Sequence, residues 1–235
     1  MGSQNQHIIY LFREGFDFYV NDASPAVRFV FPESVVKDLD VLHKTELHEA
    51  VKAFIDQNQI VSGECIIVVS EHVYFEKDFT NVAEDQKEAT IQGFVDTVPF
   101  ESSFVKTFPI AGGWKVAVVN KDLCTSLQEA FTQKGFIISA ITPVVVLGTT
   151  LTEEGNGLTV DSIRLLFEKY SVLKQNNFLT KLQMEEKKPI LPDTATKTAS
   201  VPPTKQINKK VIGLVGVFII LVLILIGMLV GNFSS

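Results

Sequence analysis

An α/β fold, a mixed sheet with helices on its faces, followed by one C-terminal membrane-spanning helix, is what this sequence predicts. Three observations carry the expectation. Three short aromatic and β-branched runs open the chain, with turn residues between them. Apolar runs and amphipathic helical stripes then alternate as far as Tyr170. Finally, Val211 to Val230 contains only apolar residues and glycine.

The opening runs are Ile8 to Phe12, Phe16 to Val20 and Val27 to Phe31. Arg13-Glu14-Gly15 forms a short turn and Asn21 to Pro25 a longer one, so the three read as an antiparallel meander. A helix follows, with Leu47, Val51, Phe54 and Ile55 on one face and Glu46, Glu49, Lys52 and Asp56 on the other. Thr45 is its expected N-cap. Cys65 to Val69 is continuously apolar, which predicts a central strand covered on both faces. Val73 to Phe79 is a more polar strand. It alternates Val73, Phe75, Lys77 and Phe79 against Tyr74, Glu76 and Asp78. Glu84 to Val95 reads as helix, ended by Val98-Pro99-Phe100. Trp114 to Val119 is a strand, and Leu123, Leu127, Ala130 and Phe131 form a helical stripe stopped by Gly135. Phe136 to Ile141 is a strand, and Pro143 interrupts the Val144-Val145-Val146 run after it. Ile163, Leu165, Leu166 and Tyr170 belong to a last amphipathic helix. This order fits a mixed-sheet, ribonuclease-H-like fold, the unit of a single actin-like lobe.

The expected organisation is a folded domain over 1–175, a Pro/Thr/Lys linker over 176–210, a membrane helix over 211–230 and a short tail over 231–235. At about 1.5 Å per residue, the apolar run matches a bilayer core of ~30 Å. Lys197, Lys205, Lys209 and Lys210 precede it and no charge follows, which predicts a single pass with the N-terminal domain cytoplasmic and the C-terminus outside. Gly227 and Gly231 form a GxxxG pair suited to helix pairing, as a homodimer or with a partner span. The chain holds 21 basic and 27 acidic residues, a net charge of −6, which argues against a nucleic-acid surface. Cys65 and Cys124, without a CxxC, read as buried free thiols.

The search for chemistry predicts no catalytic, cofactor or metal site. His7, His43, His48 and His72 stand at no metal-ligand spacing, and His48 reads as solvated beside Lys52. Ser70 stands beside Glu71 and His72, but neighbours on a strand point to opposite faces, so the three are not a triad. Glu14-Gly15 in the first hairpin is a faint echo of a phosphate-binding turn. Gly112-Gly113 and Gly148-Thr149-Thr150 are turn glycines, not Walker loops. Two features suit a partner instead. Val73 and Phe75 lie on a strand open at its edge, and Val98, Pro99 and Phe100 form a lip for a peptide groove.

The blocks SVVKDLDVLHKTELHEAVKAFIDQNQI, IIVVSEHVYFEKDF, GFVDTVPFESSFVKTF and WKVAVVNKDLCTSLQEAFTQKGFIISAITPVVVLG occur in that order. Together they resemble the PilM and GspL family of actin-like proteins from type IV pilus and type II secretion inner-membrane platforms. The resemblance spans roughly 8–175 and lies in the succession of blocks, not in one motif. It implies a non-catalytic scaffold at the inner membrane that binds a segment of a PilN/PilO-like or GspM-like bitopic protein and docks to the assembly ATPase. The chain departs from the family in its nucleotide loops, which leaves a degenerate ATP-binding sensor as one alternative. A tail-anchored adaptor outside the family is another.

Overall fold

A computed structural model describes residues 6–20, 25–154 and 157–179. The expected linker from residue 180 onward, the apolar run and the Gly227/Gly231 pair lie outside the described residues. No helix among the described residues is long and apolar enough to cross a membrane.

A five-stranded sheet forms the base. Its strands β1 (Gln6–Phe12), β2 (Gly15–Tyr19), β3 (Val27–Val30), β6 (Glu64–Val69) and β10 (Ile137–Pro143) lie in the order β10-β6-β1-β2-β3. The first three make the expected antiparallel meander, while β6 and β10 run parallel to β1. β6 lies next to β1, and Cys65–Val69 are fully buried. A continuous apolar run suits that position because both faces of the strand are covered. Helices α1 (Lys44–Gln57) and α3 (Lys121–Gln133) pack side by side. Phe16 meets Phe54 and Phe131 edge to face at 5.3 and 5.6 Å, so aromatic rings join this helical layer to the sheet. Each ring buried this way contributes roughly 1.5–3 kcal/mol. The base is thus a mixed α/β sheet with flanking helices.

A second sheet is inserted between β6 and α3. Strands β7 (Tyr74–Thr80), β8 (Ser103–Ile110) and β9 (Gly113–Asn120) are antiparallel in the order β7-β9-β8. Helix α2 (Lys87–Val95) follows β7, and its Ile91, Phe94 and Val95 pack against Phe79, Trp114 and Val116. Short hairpins β4–β5 (Val36–Lys37, Asp40–Val41) and β11–β12 (Glu153–Glu154, Gly157–Leu158), with helices α4 (Val160–Glu168) and α5 (Tyr170–Gln175), complete the described structure.

Several local expectations are corrected. His43, not Thr45, stands at the α1 N-cap, and no side-chain cap is formed there. Ser103–Ile110 is a strand that its mixed polar sequence did not announce; it pairs with β9 across a turn at Gly112, where φ is +75°. Val144–Leu147 is a 3₁₀ turn, because β10 runs through to Pro143 and the chain then turns away. The last helical stripe divides into α4 and α5 at Lys169. His48 is only 9% exposed, held at the interface of α1 and α3 near Glu129.

Candidate functional site

Two surfaces bring polar side chains together. The first is a cavity of about 400 Å³ beside the β1–β2 hairpin, lined by Tyr10, Phe12, Arg13, Glu14, Asp17 and Arg28, with His72, Glu153 and Gly157. Asp17 lies in the middle of an aromatic strand and is 1% exposed. It is directly opposite Arg28 in the strand register. The guanidinium donates to both carboxylate oxygens, at 2.7 and 2.6 Å, and lies 4.6 Å from the centre of the Phe12 ring. The bidentate bond to Asp17 raises the Arg28 pKa. Tyr10 donates to Glu153 at 3.3 Å, and burial, reinforced by that carboxylate, pushes its phenol up. Arg13 pairs with Asp38 at 2.9 Å.

This arrangement disfavours a phosphate ligand. Glu14, Asp17 and Glu153 bring three carboxylates to the cavity, and both guanidiniums there hold carboxylate partners. Gly15 has a structural explanation of its own. A Cβ built there would stand 2.0 Å from the Phe29 carbonyl oxygen. Close pairing of β2 with β3 therefore requires glycine at that position.

The second surface is a cleft of about 330 Å³ between β7 and the turn that follows β10, lined by Glu71, Tyr74 and Glu76 on one side and by Val144, Val145 and Gly148–Thr150 on the other. β7 is an edge strand with β9 on one side and no strand neighbour on the other among the described residues. Its two faces differ. Tyr74 enters the main core, while Glu76 and Asp78 pair with Lys115 at 2.6 and 3.1 Å. Phe75 faces the other way and remains 42% exposed. Its ring meets Phe100 edge to face at 5.5 Å.

The residues singled out from sequence thus fall in different places. Phe75 and Phe100 come together. Pro99 is exposed between them and Val98, while Val98 is buried in the small cluster around Trp114. Val73 precedes β7 and is fully buried in the main core. Tyr74, Glu71 and Glu76 and the Val144–Thr150 wall were not legible, because only the fold places the β10 turn beside β7. Asp17 did leave a signal: a carboxylate inside an aromatic run needs a buried partner.

The nucleophile candidates are not assembled into a site. Cys65 and Cys124 are fully buried, and burial raises both thiols, Cys124 up to about 12. Ser70 is buried, whereas the His72 side chain is 65% exposed. Among the described residues no group of His, Cys, Asp and Glu has metal-binding geometry.

No protein-family model matches this chain, and no curated protein matches it. Solved structures do. A chain of the PilM-PilN type IV pilus biogenesis complex is similar at 11% identity and a TM-score of 0.42, over 61% of this chain and 48% of that one. The cytoplasmic domain of EpsL, an inner membrane component of the type II secretion system of Vibrio cholerae, is similar at 12% identity and a TM-score of 0.36, over 64% of this chain and 61% of that one. The chain thus spans about half the length of the first and less than two thirds of the second. These are the two kinds of protein that the ordered sequence blocks resemble.

Proposed function

We propose that this chain is a non-catalytic scaffold of a type IV pilus or type II secretion platform. Its folded domain lies in the cytoplasm and Val211 to Val230 anchors it in the inner membrane. In this reading an extended segment of a bitopic, PilN-like partner lies along the β7 edge. The observation that carries it is a strand edge unpaired among the described residues, with half-exposed Phe75 edge to face with Phe100 on one face and the cleft on the other. Backbone groups on such an edge give affinity to an added strand, and flanking side-chain pockets give it specificity. The cleft's carboxylates, Glu71 and Glu76, favour a segment carrying a basic side chain. The uncharged apolar run and its preceding lysines support the anchor and its orientation.

The test is binding of full-length chain in nanodiscs to the bitopic platform proteins. The double variant Phe75→Ser/Phe100→Ser weakens the complex at least about tenfold, the scale expected for losing a central aromatic anchor. Undiminished binding, or amide protection by the partner at a surface away from 71–80 and 144–150, rejects the assignment.

A further inference from the structure

The first residues of the expected linker grip both sheets at once. Asn176–Phe178 follow α5. On one side they meet β10 of the large sheet: the Phe178 N–H donates to the Ile141 carbonyl at 2.8 Å, and the Thr142 hydroxyl donates to the Asn176 carbonyl at 3.1 Å. On the other side they meet β8 of the small sheet. There the Lys106 ammonium donates to the Asn177 carbonyl at 2.8 Å, and the Phe104 and Phe178 rings stack with centroids 6.2 Å apart. Phe178 is 3% exposed. Lys106 is partly buried, which lowers its pKa, and the Asn177 carbonyl offsets part of that desolvation.

These grips have a geometric consequence. β8, β9 and β7 form one continuous ladder, so whatever holds β8 holds the β7 edge through β9. β10 passes directly from Ile141 and Thr142 into Val144 and Val145, on the opposite wall of the cleft. The stretch therefore clasps the two elements that carry the cleft walls. Three hydrogen bonds and one ring stack are among the contacts that hold it there, and stretches at the edge of a fold can open sub-globally.

We propose that Asn176–Phe178 is a strap that sets the gap between the β7 edge and the Val144–Thr150 wall, so that a pull on the chain beyond Leu179 loosens the small sheet and changes how the cleft takes its partner. The coupling to a partner rests on the docking role proposed above; the strap itself does not.

Hydrogen exchange on the full-length chain in nanodiscs tests it. Lys106→Met removes one grip and keeps most of the side-chain packing, and Phe178→Ala removes the ring. Both variants speed amide exchange in 74–80 and 103–110 about tenfold or more, while 15–19 and 47–55 keep wild-type rates. Should Phe178→Ala fail to fold, Lys106→Met alone decides the matter. Acceleration confined to 174–179, or spread equally over both sheets, overturns the strap. With a bound partner, Lys106→Met also shifts affinity by at least about threefold, and unchanged affinity overturns the coupling. The exchange measurement needs no partner. It can therefore fail while the docking surface stands, and loss of binding in the Phe75/Phe100 variant leaves the strap unaffected.

Discussion

Arg28→Met probes the buried ion pair that closes one face of the large sheet. The substitution keeps an apolar stem over Phe12 but leaves the Asp17 carboxylate in a site that is 1% exposed. Removing one member of a buried pair costs ~3–5 kcal/mol, because the remaining charge is desolvated without compensation. Arg28 keeps 31% of its side chain in solvent, which places the loss at the lower end. The Tyr19 hydroxyl also approaches Asp17, at 3.4 Å, too long to replace a guanidinium. Loss of the cation–π contact with Phe12 adds ~0.5–1 kcal/mol. The expected destabilisation is about 3.5–4 kcal/mol, or on the order of several hundredfold in the folding equilibrium.

The assay is urea unfolding of the full-length chain in detergent micelles, followed both by circular dichroism and by the fluorescence of the single tryptophan, Trp114. Coincidence of the two transitions licenses a two-state reading. Asp17→Asn/Arg28→Met supplies the second half of the cycle. With the buried charge gone, it is less damaging than Arg28→Met alone. A loss below about 1 kcal/mol for the single variant, or a double variant at least as unstable as the single, would refute the claim that Asp17 depends on Arg28.

Two further outcomes follow from the same geometry. Gly15→Ala places a methyl 2.0 Å from the Phe29 carbonyl and forces β2 and β3 apart, so it costs at least ~1–3 kcal/mol in the same unfolding experiment; a neutral substitution contradicts the close approach. Burial lowers the His7 pKa below its ordinary 6.5, and both its ring nitrogens are buried without a hydrogen-bond partner among the described residues. The unfolded chain then binds the extra proton first, so the His7 contribution to stability is complete above about pH 6.5 and declines as pH falls below it. His7→Gln flattens that part of the stability profile relative to wild type, and parallel profiles between pH 7.5 and 5 would exclude a role for His7.

What was legible in the sequence tracks how strongly each residue pattern depends on its local setting. β6 was legible because an unbroken Cys65–Val69 run fits a strand buried on both faces. α3 was legible because its stripe and Gly135, at φ +84°, mark both a face and an end. β8 was not, since Ser103–Ile110 mixes Phe104, Lys106 and Pro109 and owes its strand state to pairing with β9. His48 was misread because α1 is covered by α3 on a flank that sequence periodicity assigns to solvent. The Phe75–Phe100 pairing was half legible: each residue stood out alone, and only the fold of α2 over β7 makes them neighbours. The cleft was not legible at all, because its walls are some seventy residues apart in sequence, at Tyr74 and Val144.

The two sheets are unequally built, and this supports placing the proposed partner site on the smaller one. The large sheet is covered by α1 and α3 and locked by a network of phenylalanines, with Ile8, Ile9, Leu11, Phe16 and Phe18 wholly buried. Four buried residues of the small sheet, with Val98, form a cluster of their own, beneath a helix, α2, with no buried residue. Its outer ion pairs, Lys115 with Glu76 and Asp78, are partly solvated and contribute little each. Local openings draw on the least densely packed elements, so β7 and β8 open before β1 or β6. In the proposed scaffold, an edge strand that admits a partner strand would use that freedom, and a base tied to a membrane anchor would need the opposite. In the proposed strap, Asn176–Phe178 bind the loose element to the rigid one, so loss of the Phe178–Phe104 ring contact should loosen β8 relative to β10.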